Sequence, residues 1–147
     1  MPIEIKVARF HELSNTELYQ LLQLRTEVFV VEQDCVYQDM DDKDFDSLHL
    51  ILLLDKNIAA YTRIYESSEA SHIGRVVVKK ENRKNDLGRL ITKESIDFCE
   101  SVYGKQDIII SAQLYLLKFY SELGFSSEGE IYLEDGIKHI QMRYVFS

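Results

Sequence analysis

VVVKKENRKNDLGRLITK, residues 76–93, decides the reading of this chain. An apolar, β-branched run gives way to a short cationic loop, and the loop opens into a segment whose apolar residues recur at helical spacing. Between positions 75 and 93 stand seven Lys/Arg (Arg75, Lys79, Lys80, Arg83, Lys84, Arg89, Lys93) against two acids, Glu81 and Asp86. The other 128 residues carry ten Lys/Arg and 23 acids. A positive strand-to-helix turn in an acidic protein is a candidate anion site. The first N–H groups of a helix have no intrahelical partner, and the helix dipole favours negative charge there. On this reading loop 83–89 cradles a diphosphate. Asn85 or Asp86 starts the helix, Gly88 permits close approach, and Arg83 and Arg89 supply charge. The competing reading is a solvated loop followed by a capped helix.

Upstream of the loop, residues 48–54 and 58–64 read as strands around Asp55-Lys56-Asn57, a hairpin, and 72–78 is a further strand. Downstream, Leu87, Leu90, Ile91, Phe98 and Val102 mark a helix that Gly104 ends. Residues 107–112 read as a buried strand and 115–123 as a short helix closed by Gly124. Segments 130–133 and 137–146 flank Glu134-Asp135-Gly136, whose Asp-Gly pair is a hairpin signal. At the N-terminus Ile3, Ile5 and Val7 alternate with Glu4 and Lys6 as in a strand. Ser14-Asn15-Thr16-Glu17 has capping-box form, and Leu18, Leu21, Leu22, Val28 and Phe29 predict one helix from about 15 to 29. The order is β-α-ββ-β-α-β-α-ββ. Segment 72–112 has the size of a right-handed βαβ crossover, so its two strands are expected to be parallel. The result is an α/β (α+β) fold with a mixed sheet, one domain over residues 1–147.

Composition excludes several classes. The chain is 46% hydrophobic and 29% charged, ordinary for a globular protein, and its net charge of −8 argues against a general nucleic-acid or membrane-surface binder. There is no aromatic-basic stripe suited to nucleic acid. No apolar stretch is long enough to span a bilayer, and MPIEIKVARF lacks the parts of a signal peptide. Cys35 and Cys99 make no disulfide framework, so a reducing, cytoplasmic setting is expected. The four histidines, His11, His49, His72 and His139, are scattered, and no metal site is expected. Residues 27–46 hold eight acids and one base, Lys43. That segment reads either as a solvated loop or as a lip attracting a cationic amine.

A later motif, KFYSELGF at 118–125, joins the loop and the order of elements. Together they resemble the GNAT superfamily of acyl-CoA-dependent N-acyltransferases. The resemblance is closer still to its ElaA-like branch, through LRTEVFVVEQDCVYQDMDDKD (24–44), LHL (48–50), IGRVVV (73–78), SAQ (111–113) and YLEDGIKHIQMR (132–143). The family loop R-x-x-G-x-G falls on Arg83-Lys84-Asn85-Asp86-Leu87-Gly88, entered through Val78-Lys79-Lys80-Glu81-Asn82-Arg83, where the family has V-x-P-x-x-R. Lys80 stands in place of the proline. Asp86 stands in place of the first loop glycine, where its carboxylate is expected to cap the helix, compete for the N–H groups and repel a diphosphate.

The resemblance implies a twisted mixed sheet of about six to seven strands flanked by helices, with a splayed parallel strand pair holding acyl-CoA. Strand Val76, Val77, Val78 would bind the pantetheine arm, and Arg83, Lys84, Asn85, Asp86, Leu87, Gly88 and Arg89 the diphosphate, with Gln113 also at the coenzyme. It implies that the Tyr120 hydroxyl protonates the departing thiolate; the alternative is a core tyrosine beside Phe119 and Phe125. Base candidates are Glu32, His49, Glu134 and His139; Cys35 has no local basic partner that would make it a nucleophile. The implied activity is acetyl transfer from acetyl-CoA, without metal, to a primary amine of a small molecule or peptide by direct attack. The alternatives are a non-catalytic acyl-CoA-binding or regulatory domain and a protein-interaction domain. Alternation over 140–146 would cover either the core or a homodimer seam.

Overall fold

In the computed structural model, which describes residues 2–147, strands β1 (Ile3–Arg9), β2 (Leu48–Leu54), β3 (Asn57–Glu66), β4 (Ser71–Val78), β5 (Ile108–Gln113), β6 (Ser126–Glu134) and β7 (Ile137–Tyr144) form one sheet. Their order is β1-β2-β3-β4-β5-β7-β6. Every pairing is antiparallel except β4 with β5, so the sheet is mixed, as expected. The sequence Leu-His-Leu-Ile-Leu-Leu-Leu of β2 is buried along nearly its whole length because both faces of the sheet are covered. Leu50, Leu52 and Leu54 face the main core, and Ile51 faces the second core with Leu21, Leu24 and Tyr61. On β7, Ile140 and Met142 are buried in the main core and Tyr144 packs on it, so the alternation there covers the core.

Turn chemistry places the hairpins. Asp55 and Lys56 both take positive φ, 52° and 69°, as do Asp135 and Gly136, 52° and 78°; these are two-residue turns of the kind that match strand twist. Helix α1 (Asn15–Arg25) begins with the expected capping box: the Glu17 N–H donates to Ser14 Oγ at 3.1 Å and the Ser14 N–H to Glu17 Oε1 at 2.8 Å. It does not run as one α-helix to Phe29. It ends at Arg25 and continues as a π-helix, Thr26–Glu32. Leu21, Leu24, Val28 and Phe29 stay on the second core through this change of period, so their spacing does not disclose it. Helix α2 (Leu87–Tyr103) buries Leu87, Ile91, Ile96 and Cys99 against the sheet and ends at Gly104. Helix α3 (Leu117–Glu122) follows a short 3-10 turn, Leu114–Leu116, where one helix over 115–123 is predicted. Gly124 closes it with φ 105°, and a β-carbon there would sit 2.9 Å from the Tyr144 ring, so glycine is required.

The sheet divides at β4 and β5. Their pairing is confined to Ser71↔Ile108 and His72↔Ile109. On its other side β4 advances from Gly74 to Val77 while β3 moves only from Arg63 to Tyr61, a bulge in which Arg75 takes φ 52°. A bulge bends the strand that carries it and increases the local twist. Past this point β4 turns from β5, while β5 pairs with β7 through Gln113↔His139. The two strands leave a wedge between them. No helix among the described residues is long and apolar enough to cross a membrane.

Candidate active site

The wedge opens into a cleft of about 560 Å³. One wall is β4 from Ile73 to Val78; the other includes Ile110, Ser111 and Gln113 of β5, with Tyr120. Glu32 of the π-helix and Gln33, Cys35 and Tyr37 beyond it cover one side, and Glu134 and His139 of the β6–β7 hairpin reach in from another. Arg83 and Gly88 stand at the anion loop. The fold therefore gathers Val76, Val77, Val78, Arg83, Gly88, Gln113, Tyr120, Glu32, Glu134 and His139 around one space. Lys84, Asn85, Asp86, Leu87 and Arg89 belong to the adjoining loop and first helical turn without lining the cavity itself.

In the loop, the helix begins at Leu87 and its first backbone bond runs from the Leu90 N–H to the Asp86 carbonyl at 3.0 Å. The N–H groups of Leu87, Gly88 and Arg89 precede that bond and have no intrahelical partner. Asp86 does not cap them, contrary to expectation: its backbone is left-handed, φ 58° and ψ 22°, and its side chain makes no cap bond. Side-chain capping requires an extended backbone at that position. The left-handed region explains the family glycine there, and aspartate is among the few other residues that tolerate it. A β-carbon on Gly88 would touch Val78 and Phe119 at 3.6 and 3.7 Å, ordinary contact distances. What Gly88 provides is a bare helix start beside the cleft. Arg83 Nε donates to the Val78 carbonyl at 3.2 Å, tying the loop to the end of the strand. Its Nη1 and Nη2 hold Glu32 at 2.5 and 2.9 Å. Arg89 pairs with Glu122 at 3.0 Å and lies over the Phe119 ring.

Tyr120 is 6% exposed, with Phe119 and Phe125 edge-on at 5.1 and 5.9 Å between centroids. It belongs to the main core and also lines the cleft. Burial, helped by the charge of Tyr115, raises the pKa of its hydroxyl. The hydroxyl therefore stays protonated and can act as a donor.

The base candidates separate. His139 donates from Nδ1 to the Ile137 carbonyl at 2.7 Å, so in the neutral ring Nε2 carries the lone pair, 3.5 Å from Glu134 Oε2. The ring stacks on Tyr132, whose hydroxyl bonds Ser111 Oγ. Glu32 has both oxygens engaged by Arg83. His49 does not line the cleft. It is fully buried, with Nε2 donating to the Asp44 carbonyl at 2.9 Å and Nδ1 accepting from Tyr61 Oη at 2.5 Å. Burial lowers its pKa and keeps it neutral, as befits a hydrogen-bonded core histidine.

Cleft residues to which the sequence assigned no role include Phe29, Gln33, Tyr37 and Tyr115. Gln33 accepts from Gln113 Nε2 at 3.3 Å, and the Cys35 thiol donates to the Asp135 carbonyl at 3.3 Å, so the segment after the π-helix is stitched to the opposite wall. Cys99 is buried in α2, which pushes its thiol up to about 12.

Three arginines take the central carboxylates of the acidic segment, while Asp34, Asp42 and Asp46 are exposed as in a solvated loop. Arg25 holds Asp39 at 2.8 Å and Asp44 at 2.7 Å; Arg63 holds Asp41 at 2.8 Å and Asp44 at 3.0 Å; Arg75 holds Asp39 at 2.8 Å. Asp39 also accepts from the Tyr37 hydroxyl at 2.9 Å, and the Arg75 guanidinium lies over the Tyr37 ring. The knot fixes Tyr37 and the Arg75 bulge as one unit of the cleft wall. Burial raises the pKa of Asp41, but the hydrogen bonds and charge of Arg63, with Arg75, outweigh it and bring it down to about 2. Asp44 is lowered in the same way by Arg25 and Arg63 against its burial. A depressed carboxylate pKa gives stability that is present above the unfolded value of about 3.9 and is lost as pH falls through the folded one. The urea midpoint is therefore expected to drop between about pH 4 and about pH 2. Asp41→Asn should be less stable at neutral pH and should show a flatter fall.

The mixed sheet with its splayed β4 and β5 is the fold of solved acyltransferases. Residues 12–146 match the family described as acetyltransferase (GNAT) domain. The chain belongs to the GNAT acetyltransferase family. Among its relatives it is similar to Protein ElaA of Escherichia coli (strain K12), 39% identical over 145 residues and 95% of each chain. It is also similar to a UPF0039 protein of Schizosaccharomyces pombe, 36% identical over 96% of each. Among solved structures, the crystal structure of E. coli ElaA superposes with a TM-score of 0.91, covering 97% of this chain and 99% of that one at 37% identity. An acyl-CoA N-acyltransferase from Pseudomonas aeruginosa gives 0.92, covering 98% and 100% at 37% identity. The PaiA N-acetyltransferase of Thermoplasma acidophilum, solved with coenzyme A, shares the fold at a TM-score of 0.73 and 17% identity, over 99% and 100% of the two chains.

Proposed function

We propose that this chain is an N-acetyltransferase that moves an acetyl group from acetyl-CoA to a primary amine of a small molecule or peptide by direct attack. The observation that carries the reading is the wedge between β4 and β5 with Tyr120 on its wall. Acetyl-CoA supplies the activated thioester. Backbone groups of Val76 and Val78, on the part of β4 that has left β5, suit an extended pantetheine arm, and an amide of that strand suits the thioester oxygen as charge grows there. The N–H groups of Leu87, Gly88 and Arg89, with Lys84 and Arg83 beside them, suit the diphosphate. His139 Nε2 takes the amine's proton and Glu134 offsets the charge that results; their 3.5 Å separation supports this pairing. The Tyr120 hydroxyl gives its proton to the thiolate that leaves. Among the described residues Glu134 and Asp135 have no lysine or arginine partner, which supports a cationic acceptor at that end of the cleft. The free thiols of Cys35 and Cys99 accord with a reducing cytoplasm.

Free-thiol release with acetyl-CoA and a panel of amines tests the reading; the expected result is acceptor-dependent thiol. Thermal stabilisation by coenzyme A without thiol release from any amine would point instead to a binding domain. Asp86 leaves the helix donors free, so only its charge bears on the diphosphate. At about 4 Å in a water-like medium that repulsion is roughly 1 kcal/mol. Calorimetry is expected to show Asp86→Gly binding coenzyme A about fivefold more tightly than wild type. Unchanged or weaker binding would reject the repulsion.

A further inference from the structure

Glu32 and Arg83 stand 51 positions apart in sequence and meet across the cleft. The contact is a fork on a fork, Nη1 to Oε2 at 2.5 Å and Nη2 to Oε1 at 2.9 Å. Arg83 is further pinned by Nε on the Val78 carbonyl, so its guanidinium stays at the anion loop. The pair is accessible, with the two side chains 37% and 34% exposed. A guanidinium fork matches a carboxylate and a phosphate in the same way, and the same two N–H groups do not serve both at once.

We propose that Glu32 is an internal stand-in for the coenzyme's diphosphate: it occupies Arg83 while the cleft is free and is displaced when the diphosphate takes the guanidinium. The proposal rests on the acyl-CoA reading above and deepens it. Glu32 ends the π-helix, and the residues that follow, Gln33 and Cys35, are the ones bonded to Gln113 and Asp135 across the cleft. Release of Glu32 thus removes one of three ties that hold this segment over the cleft. It also turns a carboxylate, until then neutralised, toward the space where an ammonium acceptor would enter.

Calorimetry of coenzyme A on wild type, Glu32→Gln and Glu27→Gln decides. Glu27 is an acid of the same π-helix with no basic partner among the described residues, and it controls for net charge. An exposed pair of this kind corresponds to a competition of about twofold to fivefold. Glu32→Gln should bind coenzyme A more tightly by that factor, Glu27→Gln should match wild type, and pantetheine, which has no diphosphate, should not distinguish the three. In an Arg83→Gln background the effect of Glu32→Gln should vanish. If wild type binds coenzyme A and Glu32→Gln binds it no better, the stand-in role is overturned and the acyltransferase reading is left intact. A gain that persists without Arg83, or that appears equally in Glu27→Gln, overturns it as well. Failure of wild type to bind coenzyme A removes both.

Discussion

Tyr120→Phe is expected to bind coenzyme A as wild type does and to lose acceptor-dependent thiol release by about 10²- to 10⁴-fold, the range of a positioned general acid. The substitution removes one oxygen and keeps the ring. Its edge-on contacts with Phe119 and Phe125 survive, so the core should not notice. Burial holds the hydroxyl in its protonated form, which is the form needed to neutralise a departing thiolate. The loss should fall on kcat and leave the coenzyme affinity unchanged, because the proton moves only as the thiolate leaves. Wild-type rates in Tyr120→Phe would reject the assignment. A large loss of thermal stability would show instead that the hydroxyl matters to the fold.

Arg25→Ala is expected to cost about 3–5 kcal/mol of stability, the usual result of removing one partner from a buried ionic cluster. Arg25 is fully buried and joins Asp39 to Asp44. Each aspartate keeps one arginine, Arg75 and Arg63 respectively, but the bridge between them is gone. The guanidinium also lies over the Tyr61 ring, 5.8 Å from its centroid, so packing is lost with the charge. For a domain of this size the midpoint of thermal unfolding should fall by roughly 10–15 °C. Arg25→Lys should recover only part of this, since one ammonium does not reproduce a planar fork serving two carboxylates. A cost under about 1 kcal/mol for Arg25→Ala would mean that the knot contributes little to stability.

The parts legible in the sequence were those governed by local chemistry. The run from Val76 to Lys93 announced strand, cationic loop and helix, and Asp135-Gly136 announced its hairpin, because turns and helix starts depend on a few adjacent residues. Asp86 shows the limit of that logic. Its identity suggested a cap, but capping depends on the backbone angle, and a left-handed aspartate points its carboxylate elsewhere. The ion pairs inside the acidic segment were hidden for another reason. Asp39 and Asp41 find Arg75 36 and 34 positions away, a neutralisation that depends on how β3, β4 and the loop come together. The shift from α- to π-helix after Arg25 left no trace in the apolar spacing, and with it went Gln33 and Tyr37. Of the four base candidates, only tertiary placement separates His139, facing the cleft, from His49, sealed beneath the knot.

The parallel junction has a mechanical consequence. Two residue pairs at Ser71 and His72 form the spine of a book whose covers are β1–β4 and β5–β7. The open edge lies near Val78, seven residues further along, a lever of about 23 Å at 3.3 Å per residue. Turning one cover by about 5° at the spine shifts that edge by about 2 Å, with no interior hydrogen bond of either cover broken. One core runs beneath both covers, with Leu50 and Ile73 on one side of the spine and Ile110 and Met142 on the other, so the reach of any such turn is set by how far those side chains slide past one another.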